Sequence, residues 1–223
     1  MKRAAWMVVG ALLVGASAAP ALAQQTLSPE RWEETIRQFE AADREGLPEA
    51  GAVVFVGSSS IRFWSTLAED FPSIHTVNRG FGGSGMDDLV HYAHRIVIPY
   101  RPGHVVVYTG ENDLARGGTA DDVFAAYREF VRRVHAELPE TPITFVSMKP
   151  SPSREHLLDE MRRGNAMVRE YSRNDARLGY IDVFEPMLDD EGRPREELFV
   201  ADMLHLNEAG YALWKEILSP YVE

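Results

Sequence analysis

Residues 52–64, Ala52-Val53-Val54-Phe55-Val56-Gly57-Ser58-Ser59-Ser60-Ile61-Arg62-Phe63-Trp64, run a short apolar stretch straight into a glycine–serine turn. Five apolar residues without alternation suit a strand buried on both faces, the mark of parallel sheets covered by helices. The same kind of run recurs at residues 74–78, 104–109, 143–148 and 179–184. Helical periodicities lie between them. The clearest opens on Thr119, a cap with Asp122 three residues on, and continues through Val123, Tyr127, Phe130, Val131, Val134 and Leu138. Residues 84–98, 154–176 and 207–218 carry others, the last starting from Asn207 as a cap. Strand and helix alternating in this way predict an α/β fold, a five-stranded parallel sheet with helices on both faces.

Upstream of the first strand, Ser28-Pro29 places a cap before a proline at the first helical position, and Trp32, Ile36 and Phe39 follow at helical spacing. Residues 29–44 therefore read as an amphipathic helix, expected to pack outside the core domain, with residues 46–51 as a loop. The chain opens differently. Lys2 and Arg3 precede an apolar run over residues 4–14, and small residues end at Ala21-Leu22-Ala23. A charged start, a short apolar core and a small-x-small site describe a secretory leader over 1–23. The core is too short for a span, which needs roughly 20 apolar residues. The organisation expected is thus leader 1–23, helix and linker 24–51, and one domain over 52–223, in the periplasm or medium.

Removal of Lys2 and Arg3 takes the formal charge from −11 to −13. That balance argues against nucleic acid and an anionic membrane surface as main partners. With no cysteine in the chain, neither a disulfide nor a cysteine-linked lipid anchor is available, so stability must come from the core.

In doubly wound sheets, ligands bind beyond the carboxyl ends of the strands. Four stretches fall on that rim: Gly57-Ser58-Ser59-Ser60, Gly82-Gly83, Gly110-Glu111-Asn112-Asp113 and Asp202-Met203-Leu204-His205. They supply a hydroxyl, backbone and amide donors, and a base with a carboxylate to orient it, the parts needed for acyl transfer through a serine ester. Over residues 52–217 the chain resembles the SGNH hydrolases, the GDSL-type esterases and lipases. The resemblance implies a three-layer α/β/α, flavodoxin-like sandwich without cofactor or metal. It puts the nucleophile on Ser59, the base and its partner on His205 and Asp202, and the oxyanion donors on Ser59, Gly83 and Asn112. Ser58 stands where the family has Asp. The ungapped spacing from Gly57 to Trp64 selects Ser59, and Ser60, which precedes Ile61, remains the alternative.

Other patterns were weighed. Gly80-Phe81-Gly82-Gly83-Ser84-Gly85 matches a dinucleotide fingerprint, but it follows the second strand, and residues 99–107 lack the acidic residue expected about 20 positions on. His91 and His94 share a helix face without an evident third ligand. Phe81, Trp64 and Phe199 line an acyl pocket or belong to the core; the sequence leaves that open. The expected activity is hydrolysis of a small-molecule ester: a lipid ester, a thioester or an acetylated sugar. Acyl transfer on the envelope and a non-catalytic binding protein are the alternatives. Oligomeric state is left open.

The leader reading predicts that the exported protein begins at Gln24. N-terminal sequencing that finds Met1 retained on exported material would refute it.

Overall fold

The structure is a computed structural model describing Met1 and residues 28–223; the leader assigned to 1–23, and the residues up to 27, lie outside the described residues. A 3-10 turn, Pro29–Trp32, leads into α1 (Glu33–Glu45). Next come β1 (Val53–Gly57), two one-turn helices α2 (Ser59–Arg62) and α3 (Leu67–Asp70), β2 (Thr76–Gly80) and α4 (Met86–Ile96). They are followed by β3 (His104–Tyr108), the short α5 (Glu111–Ala115), α6 (Ala120–Glu137) and β4 (Ile143–Val146). A 3-10 segment (Pro152–Leu157) enters α7 (Leu158–Ser172), and β5 (Leu178–Ile181) and α8 (Glu208–Val222) close the chain.

All strand pairs are parallel, in the order β2-β1-β3-β4-β5, the flavodoxin-like doubly wound order. Alternate side chains of each strand feed two cores. Val54 and Val56 of β1 face α1, α4, α6 and α7, together with Val105, Val107, Ile143 and Phe145. Val53 and Phe55 face the other way, onto Ile61, Trp64, Phe71, Trp214 and Leu218. The sandwich therefore has α1, α4, α6 and α7 on one side and α2, α3 and α8 on the other.

Local chemistry explains the boundaries. Thr119 Oγ1 accepts the amide of Asp122, whose carboxylate receives the Thr119 amide at 2.8 Å, a reciprocal cap. Asn207 Oδ1 accepts the amide of Gly210 at 3.1 Å to start α8. β2 is less apolar than the inner strands because it lies at the edge, where Asn78 donates to the Ile61 carbonyl and Arg79 to the Tyr100 hydroxyl. The predicted helix over 154–176 starts later, at Leu158, because its first turn is 3-10 with Arg154 outside helical geometry.

The expectation that residues 29–44 pack outside the core is corrected. Ile36 is fully buried and belongs to the first core. Three ionic clamps fasten the segment. Arg31 meets Asp88 at 2.7 Å, Arg95 reaches Glu33 and Glu40 at 2.6 Å each, and Asp43 takes Arg79. Burial of an aliphatic side chain, rather than amphipathicity alone, makes α1 part of the domain.

Candidate functional site

Gly57 ends β1 at φ 155°, where a β-carbon would overlap the carbonyl oxygen of Tyr108. Only glycine lets the chain pass so close to β3 before it turns into α2. In that turn the three serines part company. Ser58 and Ser60 are 2% and 1% exposed, while Ser59 keeps partial access to solvent. Ser58 is used structurally: its amide donates to Tyr108 O at 3.0 Å and its carbonyl accepts from Ile61 and Arg62. The Ser60 carbonyl receives the Tyr211 hydroxyl of α8 at 3.0 Å.

The Gly82-Gly83 turn follows β2. Gly83 has φ 79°, its carbonyl accepts from Arg116, and the Trp32 ring packs against it. The neighbouring amides of Ser58 and Ser84 are bonded to Tyr108 O and Phe81 O, whereas those of Ser59 and Gly83 have no acceptor among the described residues. These amides, with those of Ser60 and Gly82, are therefore free donors among the described residues, the kind of group an anion site uses.

Asn112 lies in α5, just after β3. Its Nδ2 donates to Ser84 O at 2.9 Å and its Oδ1 accepts from Arg154 at 2.8 Å. A carbonyl on one side and a guanidinium on the other fix which end of the amide is which, leaving the second N–H of Nδ2 available. Asp113 secures the same corner by accepting the Met86 amide at 3.0 Å, at the start of α4. Burial pushes its carboxyl up to about 6, against that bond and the Arg116 charge.

Asp202 and His205 sit in the connection before α8. His205 Nδ1 lies 2.6 Å from Asp202 Oδ2, while Asp202 Oδ1 accepts the amides of Leu204 and His205 at 2.9 Å each. Burial works against the Asp202 charge, but the His205 amide and imidazole and the Leu204 amide hold its carboxyl down at about 2. Met203, between the two, adopts a left-handed φ of 56° and is pinned by Met203 N to Val200 O and Ser153 N to Met203 O, 2.9 and 3.0 Å. Phe63 connects this turn to the serine: its amide donates to Ser59 O at 2.8 Å and its ring meets that of His205 edge-on at 5.1 Å. Ser59 and Asn112 thus lie at the start of short helices directly after β1 and β3, Gly83 lies in the turn after β2, and Asp202 and His205 lie in the connection from β5 to α8.

Beneath them is a network that sequence reasoning missed. Lys149, at the end of β4 and 1% exposed, donates to Glu111 at 2.8 and 3.1 Å, and Glu111 also receives the Tyr108 hydroxyl. Burial pulls the Lys149 ammonium down while Glu111 holds it up; burial and the Glu111 charge raise the Tyr108 hydroxyl. Arg154 lies 3.8 Å from the same carboxylate. The signals were a cation ending an apolar run and an acid preceding Asn112. Phe81, Trp64 and Phe199, left open between pocket and core, are all buried in the two cores. His91 and His94 are exposed on α4, with His94 Nδ1 turned to the His91 carbonyl at 3.0 Å. Beside His205, a groove of about 900 Å³ lined by Phe63, Val200, Leu206, Tyr211 and Lys215 opens to solvent.

The comparisons agree with this architecture. The family model for the GDSL-like Lipase/Acylhydrolase family matches residues 50–213. A structure from Streptococcus pneumoniae, provisionally described as a platelet activating factor, is 21% identical with TM-score 0.76, over 87% of this chain and 96% of that one. A GDSL-like lipase of Bacteroides thetaiotaomicron is 18% identical, TM-score 0.71, over 84% and 96%. A carbohydrate esterase family 3 structure from Talaromyces cellulolyticus is 16% identical, TM-score 0.63, over 76% and 95%. At these identities the likeness is one of fold. No curated protein matches the chain in sequence.

The buried pair yields a stability prediction. Lys149→Met alone leaves Glu111 charged and unpaired and should destabilise the fold by about 3–5 kcal/mol in urea denaturation. Adding Glu111→Leu should recover most of that loss; a double variant as unstable as the single one would contradict the pairing.

Proposed function

We propose that this chain, which belongs to the GDSL-like lipase/acylhydrolase family, is an exported serine esterase working through an acyl-serine intermediate. Acyl hydrolysis in general is the activity of that family; the nucleophile, the base and the export are our reading. The observation that carries it is the Asp202–His205 pair at 2.6 Å, with Asp202 further held by two amides. Such a carboxylate fixes the imidazole with Nδ1–H bonded and Nε2 free to take a proton.

Ser59 is assigned as the nucleophile because it alone of the three serines reaches solvent. Its Oγ attacks the ester carbonyl carbon while Nε2 of His205 accepts the hydroxyl proton. The carbonyl oxygen becomes an oxyanion, received by the amides of Ser59 and Gly83 and by the free N–H of Asn112. Collapse breaks the carbon–oxygen bond to the alcohol, which leaves with the proton from the imidazolium. Water then repeats the sequence on the acyl-serine and releases the acid. Arg154 supports the oxyanion role of Asn112 by fixing its amide through Oδ1.

A fluorophosphonate probe should label the wild type and Ser60→Ala, and should not label Ser59→Ala. Labelling of Ser59→Ala but not of Ser60→Ala would move the nucleophile one residue on. Asp202 is a second check. With its carboxyl held down at about 2, Asp202 stays ionised through any practical assay range, so Asp202→Asn should lower kcat/KM strongly at every pH from about 5 to 8. A variant as active as the wild type would contradict the pairing.

A further inference from the structure

Most arginines among the described residues sit in ion pairs with their own carboxylate, as Arg37, Arg79, Arg95, Arg177 and Arg195 do. Around the candidate site, Arg62 and Arg116 do not, and Arg154 reaches a carboxylate only at 3.8 Å. Arg62, on α2 one turn after Ser59, has no ion pair or side-chain hydrogen bond among the described residues, although it is exposed in a chain of formal charge −11. Its guanidinium lies against Gly82, on the face Ser59 Cβ also approaches, and over the Phe63 ring at 5.5 Å. Arg116 donates to a carbonyl, that of Gly83, and has no carboxylate at ion-pair distance. Arg154 reaches Glu111 at 3.8 Å, but that carboxylate is already taken by Lys149 at 2.8 Å. One guanidinium therefore touches each of Gly82, Gly83 and Asn112. Arg116 has the charge of Asp113 near it and Arg154 that of Glu111, whereas Arg62 has no carboxylate at ion-pair distance among the described residues.

We propose that Arg62 receives a substrate anion: the site takes an ester whose alcohol portion bears a carboxylate or phosphate, contacted by the Arg62 guanidinium beside Gly82 and Phe63. The alcohol side is favoured by placement. Phe63 carries Arg62 on its ring and meets His205 with its edge, and His205 is the group that returns the proton to the departing alcohol. A guanidinium with no protein acceptor offers paired donors that suit either anion. An unpaired cation beside the site of a chain of formal charge −11 also attracts an anionic substrate over a short range.

The inference rests on the esterase reading and is tested with esters that share an acetyl group and differ in the charge on the leaving phenol. These are 3-acetoxybenzoate, 3-acetoxyphenyl phosphate and the neutral 3-acetoxybenzamide. The wild type should favour the anionic esters in kcat/KM by roughly tenfold or more at low salt. The preference should shrink at about 1 M salt, where the screening length falls to about 3 Å. In Arg62→Gln the anionic-to-neutral ratio should fall towards one, and Arg62→Lys should keep part of it. The carboxylate and phosphate arms tell which anion fits. A wild-type ratio at or below one, or a ratio unchanged in Arg62→Gln, overturns the proposal. If the folded wild type cleaves none of the three, the esterase reading fails instead. Calorimetric binding of the benzoate and benzamide esters to Ser59→Ala then still decides the anion site: tighter binding of the benzoate supports it, and equal binding overturns it.

Discussion

An ammonium group shut away from water must be neutralised at contact, and in this fold that demand organises the floor of the site. Lys149 leaves β4 pointing into the interior and finds Glu111, which enters from the end of β3. The desolvation of two such charges is offset only when their remaining hydrogen-bonding capacity is also used. Glu111 therefore takes the Tyr108 hydroxyl too, and the Tyr108 carbonyl accepts the Ser58 amide. Satisfying the pair thus fixes the strand end that delivers Asn112 and the serine turn that delivers Ser59. Arg154 joins the same carboxylate from outside and reaches Asn112 with another nitrogen. Removing any member leaves a buried polar group without its partner, so the network acts as a unit.

The assembly joins distant pieces of chain through backbone carbonyls. Ser84 O receives both Asn112 Nδ2 and Thr109 Oγ1, tying the loop after β2 to the loop after β3. Gly57 O receives the Ser84 hydroxyl, adding the turn after β1. The Gly57 carbonyl also takes the Phe81 amide at 2.9 Å, so the Ser84 hydroxyl uses its second lone pair, and the side chains of Thr109 and Asn112 satisfy the Ser84 carbonyl beyond the end of β2.

Much of this was legible in the sequence because two periodicities and one topological rule are local. Unbroken apolar runs marked the inner strands β1, β3 and β4, and the Thr119–Asp122 and Asn207 caps marked the starts of α6 and α8. The strand-end rule then put Ser59, Gly83, Asn112 and His205 on one rim. What stayed hidden depends on long-range pairing. The role of Lys149 comes from Glu111, 38 residues away. Ile36 was indistinguishable from any apolar residue of a surface helix until Arg95 and Arg79 were seen to clamp α1. Phe81, Trp64 and Phe199 looked alike as pocket or core, because periodicity reports which face is buried and not what lies beneath it.

Met203 occupies a backbone region that costs a non-glycine residue roughly 1 kcal/mol, and it does so between Asp202 and His205. Its side chain takes no part in the pairing of the two, yet its identity sets how strongly the turn resists its own geometry. A glycine there would relieve the folded turn but enlarge the set of conformations open to the unfolded chain, so the two effects oppose each other. Position 203 therefore acts as a tuning point for loop rigidity. Through it, mutational drift can loosen or tighten the acid–base turn while every functional group keeps its chemistry.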